Sequence, residues 1–192
     1  GALLYQRGLF PLHGSAVETP WGGMIFGGDP GIGKSTMAAE FHRQGYRLLS
    51  DDICALALGP EGIRILPALT QFRLCADAFE RLREPSGGRF DVDKFVVPMG
   101  DGFCPHPVTL RAVHVLANEP AGGAGPSYEP VRGFHQVRLL LENLYRPSFL
   151  KGQSTQQDLM QMAARIAEQS TLAMVRRQRD ARDHLAAHAL DR

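Results

Sequence analysis

Nowhere in the 192 residues does an apolar run approach the roughly 20 needed to cross a bilayer, so no membrane partner is expected. Cysteine is scarce: Cys54, Cys75 and Cys104 are the only three. None is spaced as C-x-x-C, and an odd number cannot pair fully within one chain. That excludes a disulfide framework and points to a reducing compartment. The start, GALLYQRGLFPLHG, is too polar for a signal peptide, so the expected location is the cytoplasm. Excess charge is lacking too. The net charge is +1, which offers no surface for a polyanion and argues against a nucleic-acid partner. Internal repeats are also missing. What remains is an ordinary globular composition, 44% apolar and 21% charged, and a length that suits one domain spanning 1–192.

Strand and helix patterns alternate along this chain. LFPLHGSAVE (9–18) and WGGMIFGG (21–28) read as two strands joined by a turn. KSTMAAEFHRQ (34–44) reads as a helix stopped by Gly45, and YRLLS (46–50) as a short strand. ICALAL (53–58) and IRILPAL (63–69) suggest a hairpin. CADAFERLRE (75–84) is expected to be helical, PSGGRFDVD (85–93) a loop, VTLRAVHVLA (108–117) a strand and NEPAGGAGPS (118–127) a loop. Helices are expected over 133–145, 155–169 and 181–190, with a strand at 172–177. The class is therefore α/β with a mixed sheet and flanking helices.

One stretch carries chemistry. Gly28-Asp29-Pro30-Gly31-Ile32-Gly33-Lys34-Ser35 fits the phosphate-loop pattern G-x-x-x-x-G-K-[ST] without a mismatch. Its glycines let backbone N–H groups turn inward where a Cβ would obstruct them. The helix that follows aims its unpaired N–H groups and positive dipole end at the same point. Lys34 supplies a charge for the β- and γ-phosphates. Ser35 can place a hydroxyl on Mg²⁺, assisted by Thr36. The expected ligand is a nucleotide, ATP, with Mg²⁺.

Asp51 and Asp52 follow Lys34 by 17 and 18 positions, at the end of a strand. A short helix and a returning strand bring the chain back beside the phosphate loop. One carboxylate there can hold Mg²⁺, and one can take the proton from an attacking hydroxyl. A solvated turn would look the same away from such a loop. His13 ends the strand before the hairpin. A histidine beside an apolar stretch is more often structural than catalytic.

The segment 12–56, LHGSAVETPWGGMIFGGDPGIGKSTMAAEFHRQGYRLLSDDICAL, resembles the catalytic core of the HPr kinase/phosphorylase family. The shared order is a strand ending in His-Gly, a hairpin, a G-D-x-G-x-G-K-S loop, a helix, then G-Y-R-L and two aspartates. The resemblance implies a P-loop mixed sheet related to that of phosphoenolpyruvate carboxykinase. It assigns catalytic roles to His13 and Lys34 and proton acceptance to Asp51. Mg²⁺ falls to Ser35, with Asp52 supporting the metal or His13. The family's E-[IV]-R-G-x-G segment has no counterpart after residue 56. ALTQFRLCADAFERL (68–82), DKFVVP (93–98) and LLLENLYRPSFL (139–150) instead resemble the small serine kinases of lasso-peptide biosynthesis.

Transferring a phosphoryl group needs further positive charge. Lys94 and Arg146 rank first for this, ahead of Arg73 and the cluster Arg176, Arg177 and Arg179. The expected function is an ATP-dependent serine kinase acting on a peptide or small protein, such as a lasso-peptide precursor. The alternatives are a kinase of a small metabolite such as free serine, HPr kinase/phosphorylase proper, and a non-catalytic nucleotide-binding regulator. The HPr enzymes assemble into hexamers, so the resemblance leaves a homo-oligomer open.

Overall fold

A computed structural model describes residues 2–68, 71–74, 89–91, 94–98, 100–119, 126–150 and 156–177. The expected helices at 75–84 and 181–190, and Arg179, lie outside these residues. The chain opens with a short helix α1 (Ala2–Gln6), then strands β1 (Phe10–His13), β2 (Ser15–Thr19) and β3 (Gly22–Gly28). Helix α2 (Lys34–Arg43) leads to β4 (Arg47–Ser50), β5 (Ile53–Gly59) and β6 (Gly62–Leu66). Next come β7 (Gln71–Leu74), β8 (Arg89–Asp91), β9 (Lys94–Pro98) and a 3₁₀ turn at Gly100–Gly102. The rest comprises β10 (Val108–Asn118), β11 (Ser127–Val131), α3 (Phe134–Glu142), α4 (Gln156–Gln169) and β12 (Thr171–Arg177).

Nine of the strands form one mixed sheet in the order β1-β5-β6-β10-β3-β2-β4, with β12 also on β10 and β11 on β12. Strands β7, β9 and β8 form a small separate sheet. The α/β class with flanking helices is as expected. In β3, side chains alternate: Met24 and Phe26 enter one apolar cluster, and Ile25 enters another. The first cluster includes Met37 and Phe41 of α2 and Phe72 of β7; the second includes Leu140 of α3 and Leu159 of α4. A strand covered on both faces reads as a continuous apolar run, which is why WGGMIFGG stood out in the sequence.

Helix α2 turns Met37, Ala38 and Phe41 onto the sheet, and all three are buried. It ends in a Schellman motif. The Gly45 N–H donates to the His42 carbonyl (2.8 Å) and the Tyr46 N–H to the Phe41 carbonyl (3.2 Å). The accompanying apolar contact is between the Phe41 and Tyr46 rings, 5.4 Å apart.

Several boundaries differ from expectation. Residues 9–18 are two strands: β1 pairs with β5 and β2 with β3, so the chain changes partner at Gly14. Within the expected loop 85–93, Arg89–Asp91 pair with β9. Ser127, the last residue of the expected loop 118–127, and the unassigned residues through Val131 pair with β12. In both places a partner strand overrides a weak local preference. Helix α3 stops at Glu142 rather than 145, because Asn143 caps it: its side-chain amide donates to the Leu139 carbonyl at 2.8 Å. Among the described residues no helix is long and apolar enough to cross a membrane.

Candidate active site

Strand β10 runs parallel to β3, and β12 parallel to β10. Strand β4 is antiparallel to β2, which is antiparallel to β3, so β4 also points the same way. The carboxyl ends of all four strands therefore gather at one edge. In open α/β sheets that edge is where ligands bind. Here it carries Gly28 and the phosphate loop, the Asp51-Asp52 turn, Asn118 and Arg177.

The loop has the backbone its sequence demands. Gly28 takes φ +122°, and a Cβ there would lie 2.6 Å from the Leu116 carbonyl oxygen. Gly33, at φ +101°, is the N-cap of α2 and brings no side chain to cap it; no acidic residue occupies the first turn. The first-turn N–H groups thus face the loop without a carboxylate competing for them. Lys34 is buried, and its Nζ donates to the carbonyls of Gly28 and Asp29, each at 3.0 Å. The ammonium lies folded over the loop. Ser35 and Thr36 are half-buried in the first turn, whereas Asp29 and Pro30 are exposed.

The two aspartates part company. Asp51 is buried: its Oδ1 accepts from the Ser15 hydroxyl at 2.5 Å and its Oδ2 from the Arg73 backbone N–H at 2.8 Å. Asp52 sits in the turn at φ +74°, and its carboxylate is about two-fifths exposed at 42%. His13 Nδ1 lies 3.0 Å from the Asp52 carbonyl oxygen and 3.5 Å from Oδ1. The Ser50 hydroxyl closes the same turn by donating to the Ile53 carbonyl.

His13, Asp52, Gly28, Asp29 and Arg146 line one cleft of about 850 Å³. That is within the range of small-molecule sites. The far wall is the end of α3. Arg146 there takes φ +46° and holds its guanidinium 5.4 Å from the Tyr145 ring centroid. The backbone of β9 begins at Lys94, but its side chain lies outside the described residues. Arg73 meets the site through its backbone N–H on Asp51.

Three residues shape this cleft in ways the sequence did not indicate. Asn143 accepts the Gly28 N–H on its side-chain oxygen at 2.7 Å, and its backbone carbonyl accepts the His13 N–H at 2.8 Å. One residue thus ties β1, β3 and α3 together beside the phosphate loop. Arg177, buried at the end of β12, donates through Nη2 to the Ile32 carbonyl at 2.8 Å. Ser15 fixes Asp51. The available clues were an asparagine at the end of an amphipathic helix and the basic cluster that includes Arg177; Ser15 gave none.

No family model matches the sequence, and no curated protein matches it. Among solved structures, the HPr(Ser) kinase/phosphatase from Coxiella burnetii aligns with 94% of this chain and 90% of its own. The identity is 12% and the TM-score 0.48.

Proposed function

We propose that this chain is an ATP-dependent phosphotransferase that phosphorylates a serine hydroxyl in a peptide or small protein. One observation carries the reading. Phosphate-loop residues Gly28, Asp29, Pro30 and Ile32 and a histidine–aspartate pair, His13 and Asp52, line the same cleft. The triphosphate would lie on the loop N–H groups and the start of α2, with Lys34 leaving the carbonyls of Gly28 and Asp29 to meet it. Ser35 and Asp52 offer oxygen donors only, which suits a hard cation such as Mg²⁺. Held there, Mg²⁺ would neutralise charge on the transferred group. Arg146 supplies further positive charge on the opposite wall.

In the transfer, the serine oxygen bonds to the γ-phosphorus as the bond to the β,γ-bridging oxygen breaks. ADP leaves with that electron pair, and the hydroxyl proton goes to a carboxylate. The family resemblance gives that role to Asp51. The geometry favours Asp52, because both Asp51 oxygens are already engaged and the side chain is only 4% exposed. For Asp51 to act, it would have to release Ser15 and the Arg73 amide. A general-base aspartate replaced by asparagine loses on the order of 10²–10⁴ in transfer rate.

The peptide or protein acceptor rests on the extent of the cleft. It shares Leu139, Glu142 and Met174 with a second groove of about 560 Å³ along β11 and α3. A free amino acid needs no such length. The lasso-peptide precursor is the specific acceptor suggested by the resemblance in 68–82, 93–98 and 139–150. The test is to incubate the chain with labelled ATP and a panel of serine peptides, free serine and HPr. Label appearing in a peptide supports the reading, and label in free serine alone replaces it with a metabolite kinase. Nucleotide binding with no transfer to any acceptor points to a regulator.

A further inference from the structure

We infer that Glu18, Cys104 and His106 form a zinc site at the end of β3 remote from the phosphate loop. Glu18 stands on β2 opposite Gly23, five residues before Gly28 on β3. At about 3.4 Å per residue that is roughly 17 Å from the loop. The site is therefore separate from the phosphotransfer cleft and does not depend on its reading.

The three ligand atoms, Glu18 carboxylate O, Cys104 Sγ and His106 Nε2, all lie within 4.8 Å of one another. Cys104 Sγ is 3.5 Å from His106 Nε2, and His106 Nε2 is 3.5 Å from Glu18 Oε1. Zinc bonds of about 2.3 Å to sulfur and 2.0–2.2 Å to nitrogen and oxygen, set at the tetrahedral angle, require S···N near 3.5 Å and N···O near 3.4 Å. Two of the three edges match that spacing, and the third, Cys104 Sγ to the Glu18 carboxylate, is within 4.8 Å. A thiolate donor selects zinc over magnesium or calcium.

The surroundings fit. Arg47 holds the other Glu18 oxygen, Oε2, at 2.6 Å, which leaves Oε1 turned toward the cluster. Cys104 is fully buried, while the His106 side chain is half exposed, leaving the fourth position open to water. Zinc, thiolate and carboxylate sum to zero charge, so the Arg47 guanidinium meets no net cation. Zinc takes the thiolate, so the Cys104 proton goes to solvent as the sulfur ligates, and His106 ligates through Nε2.

The structural consequence is a clamp. Phe103 bridges Leu48 in parallel, and the Cys104 N–H donates to the Leu48 carbonyl at 2.7 Å. The segment 100–107 thus lies along β4, the terminal strand of the sheet path. Zinc would fasten that cover to β2 underneath.

The experiment equilibrates the full chain with zinc, removes the unbound metal and measures zinc per chain. Cobalt is then substituted and the thiolate-to-metal charge-transfer band recorded. One equivalent of zinc should be lost in both Cys104→Ser and His106→Ala. The cobalt band should vanish in Cys104→Ser, and titration should release about one proton per zinc, the thiol's own. Because His106 is exposed, His106→Ala keeps the fold even if Cys104→Ser does not. An unaltered chain that holds no zinc overturns the inference. So does undiminished zinc in the folded His106→Ala chain.

Discussion

The two ends of β3 build their sites from different material. At the carboxyl end the site is mainly backbone: loop N–H groups, the first turn of α2 and carbonyls that accept Lys34. At the amino end it is side chains, Glu18 from β2 with Cys104 and His106 from the approach to β10. A backbone site needs a particular local conformation, so its residues must be neighbours in the chain. A side-chain site needs only that the fold bring three positions together. The first kind tolerates little change at its glycines, whereas the second can be removed one ligand at a time.

The sharpest way to test this contrast is at the cleft. Asp52→Asn should lower phosphoryl transfer by about 10²–10⁴ even at saturating ATP and Mg²⁺, as measured by steady-state kinetics. Asp51→Asn should mainly lower thermal stability. The reverse pattern would return the base role to Asp51. Gly28→Ala should lose nucleotide binding, since a Cβ there would sit 2.6 Å from the Leu116 carbonyl at a φ that alanine resists. His106→Ala, at the other end, should leave ATP titration unchanged; a change would mean that the two ends are coupled.

Between the ends, His114 of β10 lies beside Phe26 and Tyr128. Burial lowers its pKa from 6.5 to about 4. The folded state therefore resists protonation that the unfolded chain accepts. Its contribution is fully present above pH 6.5 and is lost as pH falls toward 4, by roughly 3 kcal/mol in total at 1.36 kcal/mol per unit. Denaturant titrations of the parent and of His114→Phe across that window should differ in slope by about one proton. Parallel curves would contradict the burial argument. Asn143→Ala should be smaller, about 1–3 kcal/mol for the unpaired Gly28 N–H, with a raised KM for ATP. An unaffected KM would leave Asn143 with a purely structural part.

Legibility followed the same division. The stretch 22–43 announced a strand, a glycine-rich turn and a helix because each feature sits beside the next. The aspartate pair was found for the same reason, at a fixed distance from Lys34. Which of the two faces the cleft was hidden. That depends on Ser15, 36 residues away from Asp51, and on the Arg73 amide. Asn143 lies 115 residues from the glycine it braces. Such pairings follow from sheet order, and the sheet order was set by apolar faces shared among many strands. Strand β8, read as loop, and β11, largely unassigned from sequence, were decided by partner strands rather than by their own residues.

Arg177 is the last residue of β12, and its guanidinium grips the Ile32 carbonyl just ahead of the lysine. Replacing Arg177 by alanine would lose that hold, although nothing in the motif itself had been touched. The mouth of the cleft can thus be edited from a strand that follows it by more than a hundred residues.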